Sequence, residues 1–483
     1  MPPTALQNDV RKTSGALMTD QSTAERSGAS ARRSLVGRQV LHGPAWFAVL
    51  GPPLVPVLLW LRSDAVAVAF ATPAGALRSA ALLAGLCGFS AFATNLVLSA
   101  RVPAIERLFG GLDRMYRWHR RLAAAVATLL VAHVVLVLGS QVATPGASTV
   151  ALLLPDAGWR VFAGVLAFAG FAAILGVTLL GRLRHEPFLR VHRVFGLVFA
   201  IGALHAFRVQ GLGSQIPFLD GYLAVLTVAA IAGWVYRSGL GRTLVRRNFY
   251  RVAALRPRGT SIAELELEPA DAPLVFEAGQ HVFIGINHPA VGRELHPFSI
   301  TSAPGEPMLR LAVKAVGDYT RALPGVEPGA WVRVEGPYGG FWHRGDREGR
   351  QVWIAGGIGI TPFLSMVRSL PVATAPGDEE GIRSHAIDLY YLTDRVAAAV
   401  FLDELLDLAA QRPGLRIIPH ADEEHGFLTA DGIVKTSGEL DGAAVYLCGP
   451  KPMTDALTGQ LMGLGVPRNR IHFEEFRLGG RLR

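Results

Sequence analysis

Four histidines lie in two apolar segments of the chain at nearly equal spacings. His119 and His133 are 14 residues apart, and His192 and His205 are 13 residues apart. A histidine inside a membrane helix is costly and usually functional, and a neutral imidazole is a good axial ligand for haem iron. At 1.5 Å per residue, the members of each pair are roughly 20 Å apart along the helix axis. The pattern predicts two layers, His119 with His192 and His133 with His205, each able to hold one haem b.

The two spacings place the histidines differently around their helices. At ~100° per residue a 14-residue step returns to within about 40° of the starting face, whereas a 13-residue step misses it by about 140°. We therefore expect the helix with His192 and His205 to be locally irregular, near Gly202. The alternative is that these histidines bond to neighbouring carbonyls or lie at helix ends, which explains any one of them better than four in two matched layers. His185 has no counterpart at its depth and is expected at the surface.

A second group of residues could bind a flavin. The segment His296–Ser302 reads HPFSITS, in which an aromatic ring could cover an isoalloxazine face and the Ser299 hydroxyl could donate to the flavin N5 edge. Downstream, Lys314 and the turn 317–320 (GDYT) offer a cation, a flexible backbone and a hydroxyl suited to a pyrophosphate. Alone, the heptapeptide is equally compatible with an ordinary strand and turn. The segment 335–340 (EGPYGG) is predicted to close this module with a turn.

A glycine-rich segment, 356–362 (GGIGITP), follows the buried strand predicted at 351–355. Its glycines would let the backbone approach a phosphate, Thr361 could cap the next helix, and Pro362 suits its first turn. The helix N-terminus could then hold an anion. A glycine run after a strand is weak evidence by itself.

The segment 448–453 (CGPKPM) follows another predicted strand, 444–447. Both segments would then lie at the carboxyl edge of one sheet, where open α/β sheets bind ligands. This placement would let Cys448 contact a nicotinamide. As a lone thiol, Cys448 could equally be a buried packing residue.

The elements that must position these residues divide the chain in two. Half of the 483 residues are hydrophobic and only 18% are charged, and the apolar excess precedes about residue 236. Segments of about twenty apolar residues suit a ~30 Å hydrocarbon core. The first predicted span contains three prolines and should be kinked. Six spans are predicted near 44–61, 76–99, 119–139, 161–181, 190–208 and 218–236.

Arginines orient the predicted bundle. The stretches 101–121 and 182–193 contain ten arginines, whereas the loops on the other side hold Arg62, Arg78, Arg160 and Arg208. Because arginine-rich loops stay in the cytoplasm, both termini and everything after residue 236 are predicted to be cytoplasmic in a multi-pass cell-membrane protein. The formal net charge of +9 belongs to this asymmetry and requires no nucleic-acid partner.

The two cysteines, Cys87 and Cys448, exclude a disulfide framework and are too few for an iron–sulfur cluster. After the spans, short β-like runs between 249 and 334 are typical of a small antiparallel barrel, and the strand–glycine–helix pattern indicates an α/β domain. The predicted organisation is a disordered cytoplasmic tail (1–43), an all-α six-helix haem domain (44–236), an FAD-binding β-barrel (246–345), an NAD(P)-binding α/β domain (350–476) and a C-terminal extension (477–483).

Five features in this order resemble the ferric reductase and NADPH oxidase family: the 14- and 13-residue histidine spacings, HPFSITSAP, GDYT, GGIGITP and CGPKPM. The resemblance implies a six-helix haem domain fused to a ferredoxin-reductase-like module, with His119, His133, His192 and His205 as haem ligands. It also favours the membrane family over soluble ferredoxin reductases, which usually have arginine where His296 stands. The implied FAD contacts are His296, Pro297, Phe298, Ser299, Ile300, Thr301, Ser302, Gly317 and Thr320, to which the residues themselves add Lys314. The implied nucleotide contacts are Gly356, Gly357, Gly359, Thr361, Pro362, Cys448, Gly449, Pro450 and Met453.

The family also has a C-terminal aromatic that shields the flavin, and Phe476 resembles it, although seven residues follow here. Ser299, Cys448 and Phe476 are therefore the residues expected at the hydride-transfer site. The expected function is a transmembrane oxidoreductase that moves electrons from cytoplasmic NAD(P)H through FAD and two haems to ferric chelate or oxygen. The alternatives are a membrane subunit that serves a periplasmic electron-accepting protein, and a nucleotide-regulated six-span transporter.

Nucleotide preference depends on Asp394 and Arg395, which follow the strand predicted at 387–392, where adenosine ribose recognition is expected. Arg395 could pair with a 2′-phosphate, whereas Asp394 could accept from a free 2′-hydroxyl and repel that phosphate. Two solvated loop charges are the plain alternative. The expectation is NADPH, with NADH as the alternative donor.

Overall fold

The computed structural model describes residues 45–64, 66, 69–109, 111–146, 158–180, 185–208, 216, 218–239, 247–292, 294–342, 349–372 and 385–475. The predicted N-terminal tail and C-terminal extension lie outside them. Five described helices are long and apolar enough to cross a membrane, and the apolar helix α1 (Ala45–Leu61), with the three prolines, has only 17 residues. The all-α character of this half is confirmed, but the count of six spans is not.

The helical bundle, defined here as α2 to α8, follows from long apolar segments with clear end signals. Thr72 caps α2 by accepting from the Gly75 amide at 3.0 Å, and Pro73 occupies the first turn. Helix α2 packs against α4 and α8, and α5 packs against α7. The helices are α2 (Pro73–Ser99), α3 (Pro103–Phe109), α4 (Leu112–Val142), α5 (Trp159–Leu180), α6 (His185–Arg193), α7 (Phe195–Arg208) and α8 (Leu219–Trp234), which continues as a π-helical turn (Val235–Gly239).

The fifth predicted span is broken at Val194, between α6 and α7, and not near Gly202, which lies inside the regular part of α7. The amide of Val194 donates to Val191 three residues back, which is a 3₁₀ bond that overwinds the chain. Overwinding adds rotation between His192 and His205 and so reduces their 140° mismatch. Trp234 of α8 supports this break. Its indole N–H donates to the Arg193 carbonyl at 2.8 Å, and its ring occupies the space that a side chain at Gly196 would need.

The segment after the bundle forms the predicted antiparallel barrel. Six strands pair in the order β4-β3-β6-β1-β2-β5, and Ile300, directly after β4, bridges to Leu311 on β5 and closes the ring. Apolar side chains from alternate positions fill its interior, among them Val282, Ile284 and Val334. The strands are β1 (Arg247–Arg258), β2 (Ile262–Pro269), β3 (His281–Ile286), β4 (His296–Ser299), β5 (Leu309–Lys314) and β6 (Trp331–Tyr338), with the short helix α9 (Asp318–Ala322).

The last domain is a parallel sheet in the order β11-β10-β7-β8-β9, which confirms the predicted α/β class. Its central strands are buried on both faces, as expected for a parallel sheet covered by helices. Cys448 pairs with Ala355, and Gly356 pairs with Leu392, so the carboxyl ends of three strands meet at one edge. The elements are β7 (Gly349–Gly356), α10 (Thr361–Arg368), β8 (His385–Thr393), α11 (Leu402–Ala410), β9 (Leu415–Ala421), α12 (Asp422–His425), α13 (Ala430–Ser437), β10 (Ala444–Gly449), α14 (Lys451–Gly463) and β11 (Ile471–Glu475).

Candidate functional site

The four histidines of the bundle lie in two pairs, each with one ring from α4 and one from the broken fifth span. The ring centroids of His119 and His192 are 6.2 Å apart, and those of His133 and His205 are 6.4 Å apart. Metal–imidazole bonds of about 2 Å on opposite sides of one iron would put the two centroids about 6 Å apart. The spacing in both layers therefore fits one iron held between two imidazoles.

The layer of His119 and His192 is called the inner pair below, and the layer of His133 and His205 the outer pair. In the outer pair, His133 has a second contact that would hold an imidazole in place for a metal. Nδ1 of His133 lies 2.7 Å from the Ala81 carbonyl, a partner that would leave Nε2 for iron. Two glycines make room for the rings: a Cβ at Gly85 would lie 2.7 Å from His133, and one at Gly164 would lie 2.6 Å from His205. In the inner layer, Nδ1 of His192 is buried with no hydrogen-bond partner.

Among the described residues no group of three His, Cys, Asp or Glu side chains could hold a metal ion. Haem differs from such sites, because the porphyrin supplies four ligands and the protein supplies only the axial ones. An aromatic cluster on α2 and α7 joins Phe89 to Phe199 at 4.8 Å and Phe92 to Phe195 at 6.0 Å, and His192 lies 5.1 Å from Phe195. The space beside the inner layer is therefore apolar.

The HPFSITS segment supplies buried hydroxyls without partners at the mouth of the barrel. Ser299 and Thr301 are 2% and 0% exposed, and neither Oγ of Ser299 nor Oγ1 of Thr301 has a hydrogen-bond partner. Leaving a buried hydroxyl unsatisfied costs about 1–3 kcal/mol, and a polar ligand would remove that cost. These orphaned groups fit a flavin whose polar edge reaches this strand.

The same segment also brings aromatic rings together around Tyr319. The rings of His296 and Tyr319 are 3.9 Å apart, and Phe298 stacks on the same tyrosine at 6.4 Å. Burial raises the pKa of Tyr319 to about 12, so its hydroxyl remains protonated at neutral pH. The structure thus brings the GDYT tyrosine to the flavin motif, a role that the sequence reading gave to its neighbours. Pro297 is exposed on the same strand, and Ile300 is buried in the barrel core.

The other predicted phosphate contacts lie on the exposed side of this turn. Oγ1 of Thr320 accepts from the amides of Val316 and Gly317 at 2.9 and 3.0 Å, so its hydroxyl already stabilises the start of α9. Lys314 is exposed at the end of β5. Of these groups, the lysine ammonium is the one that a phosphate could reach without displacing a turn contact.

Two residues that sequence reasoning missed join α10 to the flavin motif. The Ser365 hydroxyl donates to the Ser302 carbonyl at 2.7 Å, and the Arg368 guanidinium donates to the Thr301 carbonyl at 2.6 Å. Arg368 also donates to Glu404 at 2.9 Å. The helix that follows the glycine loop is therefore fixed to the strand that bears Ser299, which aligns the two predicted cofactor sites.

The two nucleotide motifs interlock backbone to backbone. A Cβ at Gly359 would collide with the Cys448 carbonyl, one at Gly356 would lie 2.6 Å from Met453 Sδ, and one at Gly449 would lie 3.1 Å from the Gly356 backbone. These three glycines are thus required by packing between the loops. Gly357 differs: its φ is +54° and nothing lies near its missing side chain, so it leaves an open backbone surface.

Thr361 and Cys448 occupy positions that differ from the predicted ones. Thr361 is the first residue of α10 and not its cap, because its hydroxyl donates to the Ile358 carbonyl at 3.0 Å; Pro362 does lie in the first turn. Cys448 is 0% exposed in the core below the loop, so its thiol does not face the edge where a nucleotide would bind. Pro450 is exposed at that edge.

Comparison with known proteins matches the three parts of the chain to three family models in the expected order. Residues 84–203 match a ferric reductase like transmembrane component, 247–340 an FAD-binding domain and 353–458 an oxidoreductase NAD-binding domain. The chain belongs to the ferric reductase and NADPH oxidase family. It is accordingly a membrane oxidoreductase with FAD- and NAD(P)-binding domains.

Individual relatives of this ferric-reductase family member share its flavin and nucleotide module. A ferredoxin–NADP reductase B from Sorangium cellulosum is 32% identical over 241 residues, which are 47% of this chain and 96% of that protein. A flavohemoprotein from Rhizobium meliloti is 29% identical over 261 residues, 50% of this chain and 61% of that protein. The crystal structure of a cytochrome P450 reductase from Amycolatopsis has 25% identity and a TM-score of 0.41, covering 48% of this chain and 70% of that one. The matched region thus spans less than two thirds of the flavohemoprotein.

In this reductase-family chain, the predicted flavin shield Phe476 lies outside the described residues. Arg395 lies at the sheet edge beyond β8, 72% exposed, and its Nε donates to the Glu423 carboxylate at 3.0 Å. Glu423 follows β9, where the acidic segment of α12 begins. Burial raises the pKa of Asp422, and the Asp394 carboxylate adds to that rise. Among the described residues at this edge, the carboxylates of Asp394, Asp422 and Glu423 therefore outnumber the Arg395 guanidinium, a feature that sequence reasoning about Arg395 missed.

Proposed function

We propose that the chain moves electrons from a reduced nicotinamide nucleotide to an acceptor on the far side of the membrane. The observation that carries the proposal is the pair of imidazole layers, with centroids 6.2 and 6.4 Å apart, in a chain that also has flavin- and nucleotide-binding domains. When bound, FAD would accept a hydride and release single electrons, and two haem b groups would carry them through the bundle.

The residues that would hold these groups follow from the geometry. His119 with His192 would hold one haem, and His133 with His205 would hold the other. Around the flavin, the unsatisfied hydroxyls of Ser299 and Thr301 would donate to its polar edge, and the rings of His296, Phe298 and Tyr319 would cover part of it. Their positions are fixed by β4 and by α10, so the polar edge needs little reorganisation when the cofactor binds.

For the nucleotide, the exposed backbone at Gly357 and the start of α10 would receive the pyrophosphate. We propose NADH as the better donor, because Glu423 already pairs with Arg395 and further carboxylates would repel a 2′-phosphate. Because Cys448 is buried, it would shape the nicotinamide pocket from beneath. Phe476 would shield the flavin, as the family pattern implies.

The location and acceptor are part of the same proposal. The arginine-rich connections 101–121 and 182–193 support a cytoplasmic position for the flavin and nucleotide domains in a multi-pass bundle within the lipid bilayer. The outer pair would then serve ferric chelate or oxygen, or a periplasmic electron-accepting protein.

The test is spectral and kinetic. Detergent-purified protein should show a Soret band with two haems per chain, and NADH should reduce that band in the absence of oxygen. Absence of the Soret band would refute the haem assignment and favour the transporter alternative. Turnover with ferric chelate compared with oxygen then identifies the acceptor, and failure with both would indicate a protein partner.

A further inference from the structure

The C-terminal end of β6 contacts the helical bundle through two charged groups of the bundle, Glu106 and Arg237. The Gly339 amide donates to the Glu106 carboxylate at 2.8 Å, and the Glu335 carboxylate accepts from the Arg237 guanidinium at 2.6 Å. Glu106 belongs to α3, between the second and third predicted spans, whereas Arg237 lies in the π-helical turn that ends α8. Two separate parts of the bundle therefore converge on one corner of the barrel, the EGPYGG segment (335–340). The predicted turn is shorter than this segment, because residues 335–338 are the last four residues of β6 and only the two glycines after them leave the strand. The whole segment is called the β6 turn below.

These contacts are buried and mutually supported. Glu335 is 1% exposed and Glu106 is 4% exposed. Burial would raise the pKa of Glu335, but Arg237 outweighs it and the net pKa is lowered, while burial raises the pKa of Glu106 despite the Gly339 hydrogen bond. The Tyr338 hydroxyl donates a second bond to Glu335 at 3.1 Å. A buried carboxylate with two donors is held in one position, and loss of its cation leaves it uncompensated.

A second set of contacts continues from the barrel toward the inner histidines. The Arg101 guanidinium lies 5.0 Å from the Phe283 ring of β3 and 5.3 Å from the Tyr116 ring of α4. Tyr116 in turn is 6.4 Å from His119, edge to face. Contacts through Arg101 and Tyr116 therefore connect the barrel face beside the β6 turn to the inner imidazole pair.

We propose that the β6 turn is the docking element that seats the flavin domain on the bundle, with Glu335, Arg237 and Glu106 as its positioning residues. This proposal rests on the proposed function, since the quantity that docking would fix is the separation between the flavin domain and the inner imidazole pair. None of the three residues touches a predicted cofactor site. Their effect is on where the barrel sits, not on the chemistry within it.

The chain offers a matched control in Glu264, another buried barrel carboxylate, 1% exposed. Glu264 accepts from Arg258 at 2.7 Å and lies 3.7 Å from Arg368, so it faces the nucleotide domain and not the bundle. Glu335→Gln and Glu264→Gln remove the same charge from the same barrel at opposite interfaces. Anaerobic stopped-flow with NADH separates the two steps, because flavin and haem absorb at different wavelengths.

For Glu335→Gln we expect flavin reduction within about twofold of wild type and haem reduction slower by roughly tenfold, because a displaced barrel lengthens the gap that the electron must cross. Glu264→Gln should slow flavin reduction and leave the flavin-to-haem step within about twofold. In the double variant Glu335→Gln/Arg237→Gln, haem reduction should be no slower than in the slower of the two single variants, because the two residues act as one pair. Equal slowing of both steps in both variants, or an unchanged haem step in Glu335→Gln, would overturn the proposal.

Hydrogen exchange gives a readout that does not depend on turnover. In Glu335→Gln, amide exchange should rise in 331–339 and 103–109 and stay unchanged in β8 and β9. Unchanged exchange in both interface segments would refute docking by this turn, whether or not haem is present. A wild-type protein with no NADH-reducible haem would instead refute the proposed function and leave the exchange result to decide the docking.

Discussion

Replacing Glu423 by glutamine tests which nucleotide the chain uses. Arg395 and Glu423 form an exposed pair, with side chains 72% and 55% accessible. Such surface pairs contribute at most about 1 kcal/mol, so the glutamine variant should remain folded. Its consequence is local: the Arg395 guanidinium loses its carboxylate partner at the edge where the adenosine ribose is expected.

The size of the effect follows from the charges involved. A 2′-phosphate carries between about one and a half and two negative charges at pH 7. Each unit-charge pair at about 4 Å in water contributes about 1 kcal/mol, less with salt. Removing one repulsive carboxylate and releasing one guanidinium should therefore stabilise the transition state with NADPH by about 1.4 kcal/mol. This corresponds to an increase of about tenfold in kcat/KM for NADPH.

The assay is steady-state kcat/KM for NADH and NADPH at low and moderate ionic strength. Wild type should prefer NADH, and Glu423→Gln should gain about tenfold with NADPH while NADH changes by less than about twofold. Glu424→Gln removes an equal charge one residue further along α12, where the structure gives it no contact with Arg395, and should gain less. Adding Arg395→Ala to Glu423→Gln should abolish the gain. A wild-type preference for NADPH, or equal gains in the two glutamine variants, would refute the reasoning.

Three further outcomes are expected. His133→Leu or His205→Leu should remove one haem per chain, measured as pyridine haemochrome, and leave NADH-dependent flavin reduction intact; retention of two haems would contradict the layering. Gly359→Ala should lower the melting temperature of the chain by an amount equivalent to about 1–3 kcal/mol, because its Cβ would collide with the opposing loop, whereas Gly459→Ala in open space should not. Ser299→Ala should slow flavin reduction with little loss of bound FAD, and an unchanged rate would show that its hydroxyl does not reach the reactive edge.

Much of the fold is predictable because the deciding signals are local. The barrel strands, the strand–glycine–helix unit at Gly356 and the parallel strand before Gly449 each have an apolar run bounded by turn residues. The histidine layers are also local in origin, since their depth depends only on helix rise. The family resemblance adds the order of the domains, which no single motif provides.

What could not be predicted depends on contacts between residues distant in the chain. Ser365 and Arg368 read as ordinary helix residues until the fold brings them to the carbonyls of Ser302 and Thr301. The role of Glu423 depends on the alignment of β8 with β9, because it meets Arg395 across a separation of 28 residues. Gly359 was assigned to phosphate approach, whereas the structure shows that its missing side chain makes room for the opposing loop.

The end of α8 links two of these long-range effects. Trp234 donates to Arg193 and packs over Gly196, and in doing so it supports the break at Val194 that turns His205 toward the same side as His192. Three residues later in the chain, Arg237 binds Glu335 of the β6 turn. A shift of this helix end would therefore change both the spacing of the imidazole layers and the position of the flavin domain on the bundle. The break at Val194 needs no glycine or proline there, because the contact from Trp234 supports it. The sequence prediction looked for a local signal and therefore placed the irregularity wrongly, near Gly202.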